Sequence, residues 1–169
     1  MVFLQIQLNS SLTFYIFINM TEQDIFKAQN LWSEGIIKMG QISDDRQLLE
    51  IYVNDFLDRL YNFDDQVLFK PTKAKDIQFR NDKNSAISYF IAGNDRECNE
   101  DKGFALSNWS KITFQNNDII LGEEHAMAMG NYIFENKNSK IKVEFSFGYI
   151  KVNGLVKINL HHSSIPFQG

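Results

Sequence analysis

This chain holds one cysteine, two prolines and no block of like charge in 169 residues. A single cysteine, Cys98, excludes an intrachain disulfide and a thiolate metal cluster. A lone thiol is more often inert than reactive. With a formal net charge of −4 and no basic run, the chain lacks the footprint of a nucleic-acid binder. It also lacks a long uninterrupted apolar run. Residues 1–19 contain Phe14-Tyr15-Ile16-Phe17-Ile18, but Gln5, Gln7, Asn9, Ser10 and Ser11 break the stretch. No Lys or Arg opens it and no small-residue cleavage pattern closes it, so it is a poor secretory signal and a poor membrane span. It reads either as a strand-turn-strand around Asn9-Ser10-Ser11 or as an extra segment before a start at Met20. The second reading is favoured. Repeats and linkers are absent.

What remains is a soluble, globular composition, 44% hydrophobic and 22% charged. Residues 20–169 suffice for one domain with a single core. Thr21-Glu22-Gln23-Asp24 predicts a helix start, with Thr21 as N-cap. Ile25, Ala28, Leu31, Trp32 and Ile36 follow at helical spacing, and Gly40 is a plausible stop. A second helix starts near Asp44 or Asp45, with Leu48, Leu49, Tyr52, Val53, Phe56, Leu57 and Leu60 as its apolar stripe. Residues 67–71 read as a short strand that Pro71 ends or places at an edge. Residues 84–90 read as a short helix closing near Gly93. Beyond that the pattern is β-rich. It comprises a strand over 104–114, a turn at 115–118, a strand over 126–134, a polar turn at 136–139 and a strand over 141–149. Asn153-Gly154 is the strongest hairpin signal and makes the last two strands antiparallel neighbours. Helices followed by antiparallel strands give an α+β fold: N-terminal helices on a strongly curved antiparallel sheet, forming a cone with a central pocket.

The tail, residues 156–167, carries the chemistry. Val156, Ile158 and Leu160 alternate onto one strand face. Continued in strict alternation, that face takes in His162 and Ser164 and turns His161 and Ser163 outward. Burying an imidazole and a hydroxyl costs free energy unless they are paired, and a binding cavity is one reason to bear it. His161 would then face a subunit contact. The histidines are His125, His161 and His162. A catalytic zinc takes three protein ligands, but adjacent strand residues point apart, so a shared metal is disfavoured.

Several strings, in this order, resemble a known family: Val67-Leu68-Phe69-Lys70-Pro71-Thr72, Gln78-Phe79-Arg80, Ser88-Tyr89-Phe90-Ile91-Ala92-Gly93-Asn94, Asp101-Lys102-Gly103-Phe104-Ala105-Leu106 with Trp109, Ala126-Met127-Ala128-Met129-Gly130-Asn131-Tyr132, Phe147-Gly148-Tyr149 and Leu160-His161-His162-Ser163-Ser164. From Trp32 to Phe167 the chain resembles the iota-class carbonic anhydrases. Those are similar to the association domain of calcium/calmodulin-dependent kinase II and have the nuclear-transport-factor-2-like cone fold. The resemblance implies reversible hydration of CO2 to bicarbonate and a homodimer. Some relatives are described as zinc or manganese enzymes and others as metal-free. Leu160 stands where some carry a third histidine, which weakens a borrowed metal site. No cofactor is expected here, with zinc or manganese left open.

The resemblance places Thr72 and Tyr89 in the pocket, beside His162 and Ser164 from the tail. Without it, Thr72 reads as a strand-end cap and Tyr89 as a core tyrosine. The catalytic expectation is Thr72, Tyr89, His162 and Ser164, with Thr72, Tyr89 and Ser164 binding substrate and His162 relaying or directing a proton. Arg80 could attract bicarbonate, though a solvated surface arginine is the plainer reading. A cytoplasmic location is expected, with periplasm or organelle open. The rival function is a non-catalytic small-ligand-binding or oligomerisation module, as many cone-fold domains are.

Overall fold

The computed structural model describes residues 19–169 in full. Of what precedes, it describes the backbone of two paired antiparallel strands, β1 (Leu4–Gln7) and β2 (Thr13–Ile16). The turn expected at Asn9-Ser10-Ser11 lies outside the described residues.

Helix α1 (Glu22–Gln41) starts where the sequence predicts, on a reciprocal capping box. The Asp24 amide donates to Thr21 Oγ1 (3.2 Å) and the Thr21 amide to Asp24 Oδ2 (3.0 Å), so two amides lacking helical partners are satisfied. Ile25, Ala28, Trp32, Ile36 and Met39 form its buried stripe. Asp45 caps α2 (Arg46–Leu60) through the Leu48 amide (3.0 Å), and Leu49, Val53, Phe56, Leu57 and Leu60 face inward. Strand β3 (Leu68–Lys70) is followed by Pro71. Helix α3 (Lys83–Ile91) is capped by Asp82.

Two expectations are corrected at this point. The strand expected over 104–114 is instead a 3₁₀ turn (Phe104–Leu106), followed by β4 (Lys111–Leu121). Gly103 (φ 75°) and Asn108 (φ 53°) bend the chain, and Trp109 Nε1 donates to the Phe104 carbonyl (3.0 Å) to close the loop. The turn expected at 115–118 lies inside β4 as a bulge between Asn116 and Asp118. There Gln29 and Asn116 exchange two amide hydrogen bonds (2.7 and 2.9 Å), tying the bulge to α1.

Strands β5 (His125–Glu135), β6 (Lys140–Val152) and β7 (Leu155–Ser164) complete a five-stranded sheet ordered β3-β7-β6-β5-β4. The β4, β5, β6 and β7 ladders are antiparallel, while β3 joins β7 in parallel, so the sheet is mixed. It is not closed, and β3 and β4 are its edges. The β6–β7 hairpin turns on Asn153 (φ 51°) and Gly154 (φ 80°), the two positive dihedrals a type I′ turn requires. The helices cover one sheet face, and Trp32 anchors the core, meeting Phe114, Tyr132, Phe134 and Phe147 edge-on or tilted at 5.7–6.2 Å. No described helix is long and apolar enough to cross a membrane.

Candidate active site

The tail reverses the predicted register. Tyr149 pairs with Ile158 and Gly148 with Leu160, leaving Asn159 as an extra residue in β7. One added residue moves every later side chain to the opposite face. His161 and Ser163 are therefore buried, opposite the inward Phe147 and Phe145. His162 and Ser164 lie opposite Ser146 and Glu144 on the outer face. His162 is exposed beside Lys70, and Ser164 Oγ donates to Glu144 (2.9 Å). The expectation that His162 and Ser164 face the cavity is thus corrected to His161 and Ser163.

Around Ser163 the hydroxyls converge. Thr72 Oγ1 donates to Ser163 Oγ (2.9 Å), joining the loop after β3 to the tail. The Tyr132 hydroxyl lies 3.4 Å from His161 Nε2. Tyr89 projects from α3 among aromatic rings. Its ring stands edge-on to Phe69 (5.7 Å) and stacks on Phe104 (5.5 Å). Burial pushes the Tyr89 and Tyr132 phenols far above their ordinary values, so both stay protonated. A cavity of ≈ 420 Å³ opens at Tyr89, lined by Lys73, Gly103, Phe104 and Ser107.

His161 sits at the bottom of this group. Its ring stacks on Phe69 (4.5 Å) and meets Phe147 edge-on (4.2 Å). Nδ1 lies 2.8 Å from the Tyr61 hydroxyl, which accepts from Trp32 Nε1 (2.9 Å). Burial, then the neighbouring His162, holds the imidazole well below its ordinary pKa, so it is neutral near pH 7. Sequence reading passed over Tyr61, and it placed Trp32 in a helical stripe and Tyr132 in a family string without giving either a role in the site.

Arg80 is not a surface residue. It is fully buried and donates to Asp101 Oδ1 (2.9 Å), whose other oxygen accepts from Ser88 Oγ (2.6 Å). A further nitrogen donates to the Ile77 carbonyl, and its own amide donates to the Phe69 carbonyl (2.8 Å). Glu100 accepts from the amides of Lys75, Asp76 and Ile77 (2.8–3.2 Å), which holds its carboxyl at about 2. Together these bonds pin residues 75–80, next to Thr72, against the 98–101 loop and α3, which carries Tyr89.

This architecture is a nuclear-transport-factor-2-like cone with hydroxyls gathered at its inner wall. Its fold is shared with an NTF-2 like protein of unknown function from Shewanella oneidensis MR-1 (18% identical, 86% of this chain and 99% of that one, TM-score 0.55). A putative calcium/calmodulin dependent protein kinase II association domain from Xanthomonas campestris also shares it (17%, 89% and 91%, TM-score 0.54). A nearer match is the crystal structure of an iota-carbonic anhydrase from a cyanobacterium complexed with bicarbonate. It is 29% identical, with 96% of this chain and all of that one covered, and the TM-score is 0.85. A metal-independent carbonic anhydrase of Nostoc sp. (strain PCC 7120 / SAG 25.82 / UTEX 2576) is 33% identical over 154 residues, 88% of this chain and 75% of that protein. The family model for metal-independent carbonic anhydrase matches residues 23–165, and the chain belongs to that family.

The donor set agrees with a metal-free family. Among the described residues, no three His, Cys, Asp or Glu side chains gather where they could hold a metal ion. His161 and His162 point to opposite faces, and His125 is exposed on β5.

Proposed function

We propose that Thr72, Tyr89 and Ser163 form the substrate site of a metal-free carbonic anhydrase, with His161 behind them. The observation that carries this reading is the part-buried 2.9 Å contact between Thr72 Oγ1 and Ser163 Oγ, two hydroxyls 91 residues apart in the chain. The bicarbonate bound to the cyanobacterial relative supports the same substrate class here. Hydration forms one C–O bond between water and CO2, moves a π pair onto an oxygen, and releases one proton. The Tyr89 and Ser163 hydroxyls, placed where that negative charge develops, lower the barrier without a metal, and Thr72, donating to Ser163, holds that hydroxyl in place. The aromatic wall of Phe69, Tyr89 and Phe104 suits a small apolar gas. The three hydroxyls are not bases near pH 7, so the released proton leaves to water or buffer. His161, neutral and buried, orients the donors.

The test is CO2 hydration by protein stripped of metal with a chelator. Activity should persist. Activity lost on stripping and restored by zinc or manganese would overturn the metal-free mechanism. A folded protein with no activity in any metal state would favour the binding-module reading.

A homodimer is part of the same proposal. Leu68, Ile120, Met127 and Met129 are exposed at 54–63%. Met127 and Met129 share the outward alternation of β5, and Leu68 pairs with the outward Leu160. A second copy would cover this face, where His162 and Ser164 also lie. Light scattering should give twice the chain mass, and Met127→Lys with Met129→Lys should reduce it to one.

A further inference from the structure

We infer that Trp32 fixes the tautomer of His161 through a chain of hydrogen bonds, Trp32 to Tyr61 to His161, which leaves the imidazole proton on Nε2, facing Tyr132, and closes Nδ1 to a proton released from water. The inference rests on the reading of His161 as the group behind the substrate hydroxyls, and it makes Trp32 and Tyr61 positioning residues.

An indole N–H can only donate. Trp32 Nε1 gives its proton to the Tyr61 oxygen at 2.9 Å. Tyr61 is fully buried, and the other polar partner of its hydroxyl is His161 Nδ1 at 2.8 Å. With its oxygen accepting from Trp32, the Tyr61 proton goes to Nδ1. A neutral imidazole carries one proton, so Nδ1 as acceptor places it on Nε2. Nε2–H faces the Tyr132 oxygen at 3.4 Å.

Tyr61 and His161 can each accept and donate, so the chain could run either way. The indole at its buried end removes that choice. His161 in this tautomer is a donor at Nε2 and an occupied acceptor at Nδ1, which rules it out as the base for water.

The test reads the tautomer of His161 directly. Nitrogen-15 imidazole spectra at about pH 7 are recorded on a His125→Gln/His162→Gln variant, which leaves His161 as the sole imidazole. The expected pattern is a protonated Nε2 and an unprotonated Nδ1. A protonated Nδ1, or an imidazolium, would overturn the inference. In Tyr61→Phe the pattern should change to the Nδ1–H form or a mixture. Its kcat should fall about tenfold while KM moves by less than about twofold, as for a group that aligns the transition state. A folded Tyr61→Phe protein with unchanged tautomer and unchanged kcat would also overturn it. The spectra do not depend on turnover. A protein inactive toward CO2 but showing the expected tautomer would therefore reject the functional reading alone.

Discussion

Gly148 stands directly across the ladder from Leu160, and a Cβ on Gly148 would fall 2.8 Å from Asn159 Oδ1 and 2.9 Å from Leu160 Cβ. The absent side chain leaves the space into which the β7 bulge folds. Gly148→Val should therefore disturb the bulge and the inward aim of His161 and Ser163. Overpacking of this kind costs about 1–3 kcal/mol. Urea melts should show that loss, and CO2 hydration should fall further than the loss of folded protein explains.

The inward pair and the outward pair should differ sharply in kinetics. Ser163→Ala, Thr72→Val and Tyr89→Phe each remove one hydroxyl from the wall while nearly keeping shape. Each should slow hydration by about tenfold or more, since an oxyanion donor such as Tyr89 or Ser163 can contribute ~2.7–4 kcal/mol and Thr72, donating to Ser163, holds that donor in place. Ser164→Ala removes a hydroxyl bonded to Glu144 on the outer face and should cost much less. Stopped-flow hydration rates on the four variants check this, and equal losses at Ser163 and Ser164 would reject the corrected register.

The Arg80–Asp101 pair should matter for stability rather than for substrate attraction. Both side chains are fully buried, and Ser88 completes the network. Removing one partner of a buried ion pair leaves the other charge uncompensated, at a cost of about 3–5 kcal/mol. Arg80→Met should lower the urea midpoint accordingly. An Arg80→Met protein of ordinary stability with a raised KM would instead make Arg80 an anion-attracting residue.

Acid should loosen the 75–77 loop through Glu100. Its carboxyl, held chiefly by the Lys75 and Ile77 amides, falls from 4.5 to about 2 in the folded chain. A depressed folded value means the contribution is present above about 4.5 and is lost as pH falls toward about 2. Thermal melts between those limits should fall more steeply in the wild type than in Glu100→Gln. Parallel slopes would show that the three amide bonds do not carry the effect.

Much of the fold was legible because its signals are local. Thr21 and Asp24 make a capping box from their own spacing, and Asn153-Gly154 selects its turn by backbone dihedrals alone. The family strings were legible too, and the match over residues 23–165 bears them out. What failed was long-range. The stretch at 115–118 looks like a turn because Gln, Asn and Asp cluster there, but Gln29, 87 residues away, holds it in a strand. Arg80 looks solvated because its partner Asp101 lies 21 residues on. The tail failed because strict alternation has no term for an extra residue. Its one visible clue was Gly148 amid Phe147 and Tyr149, since glycine inside a strand often marks a bulge.

The bulge at Asn159 also gives the doubled spelling His161-His162-Ser163-Ser164 a physical meaning. Each residue type occurs twice in succession, so either parity of the strand offers one imidazole and one hydroxyl, two positions apart, to each face. The segment is in effect self-complementary to slippage: moving the kink along β7 would exchange the two pairs without changing the chemistry presented inside. Identity of the inward groups is secured by composition, and their depth and aim by the single glycine across the ladder.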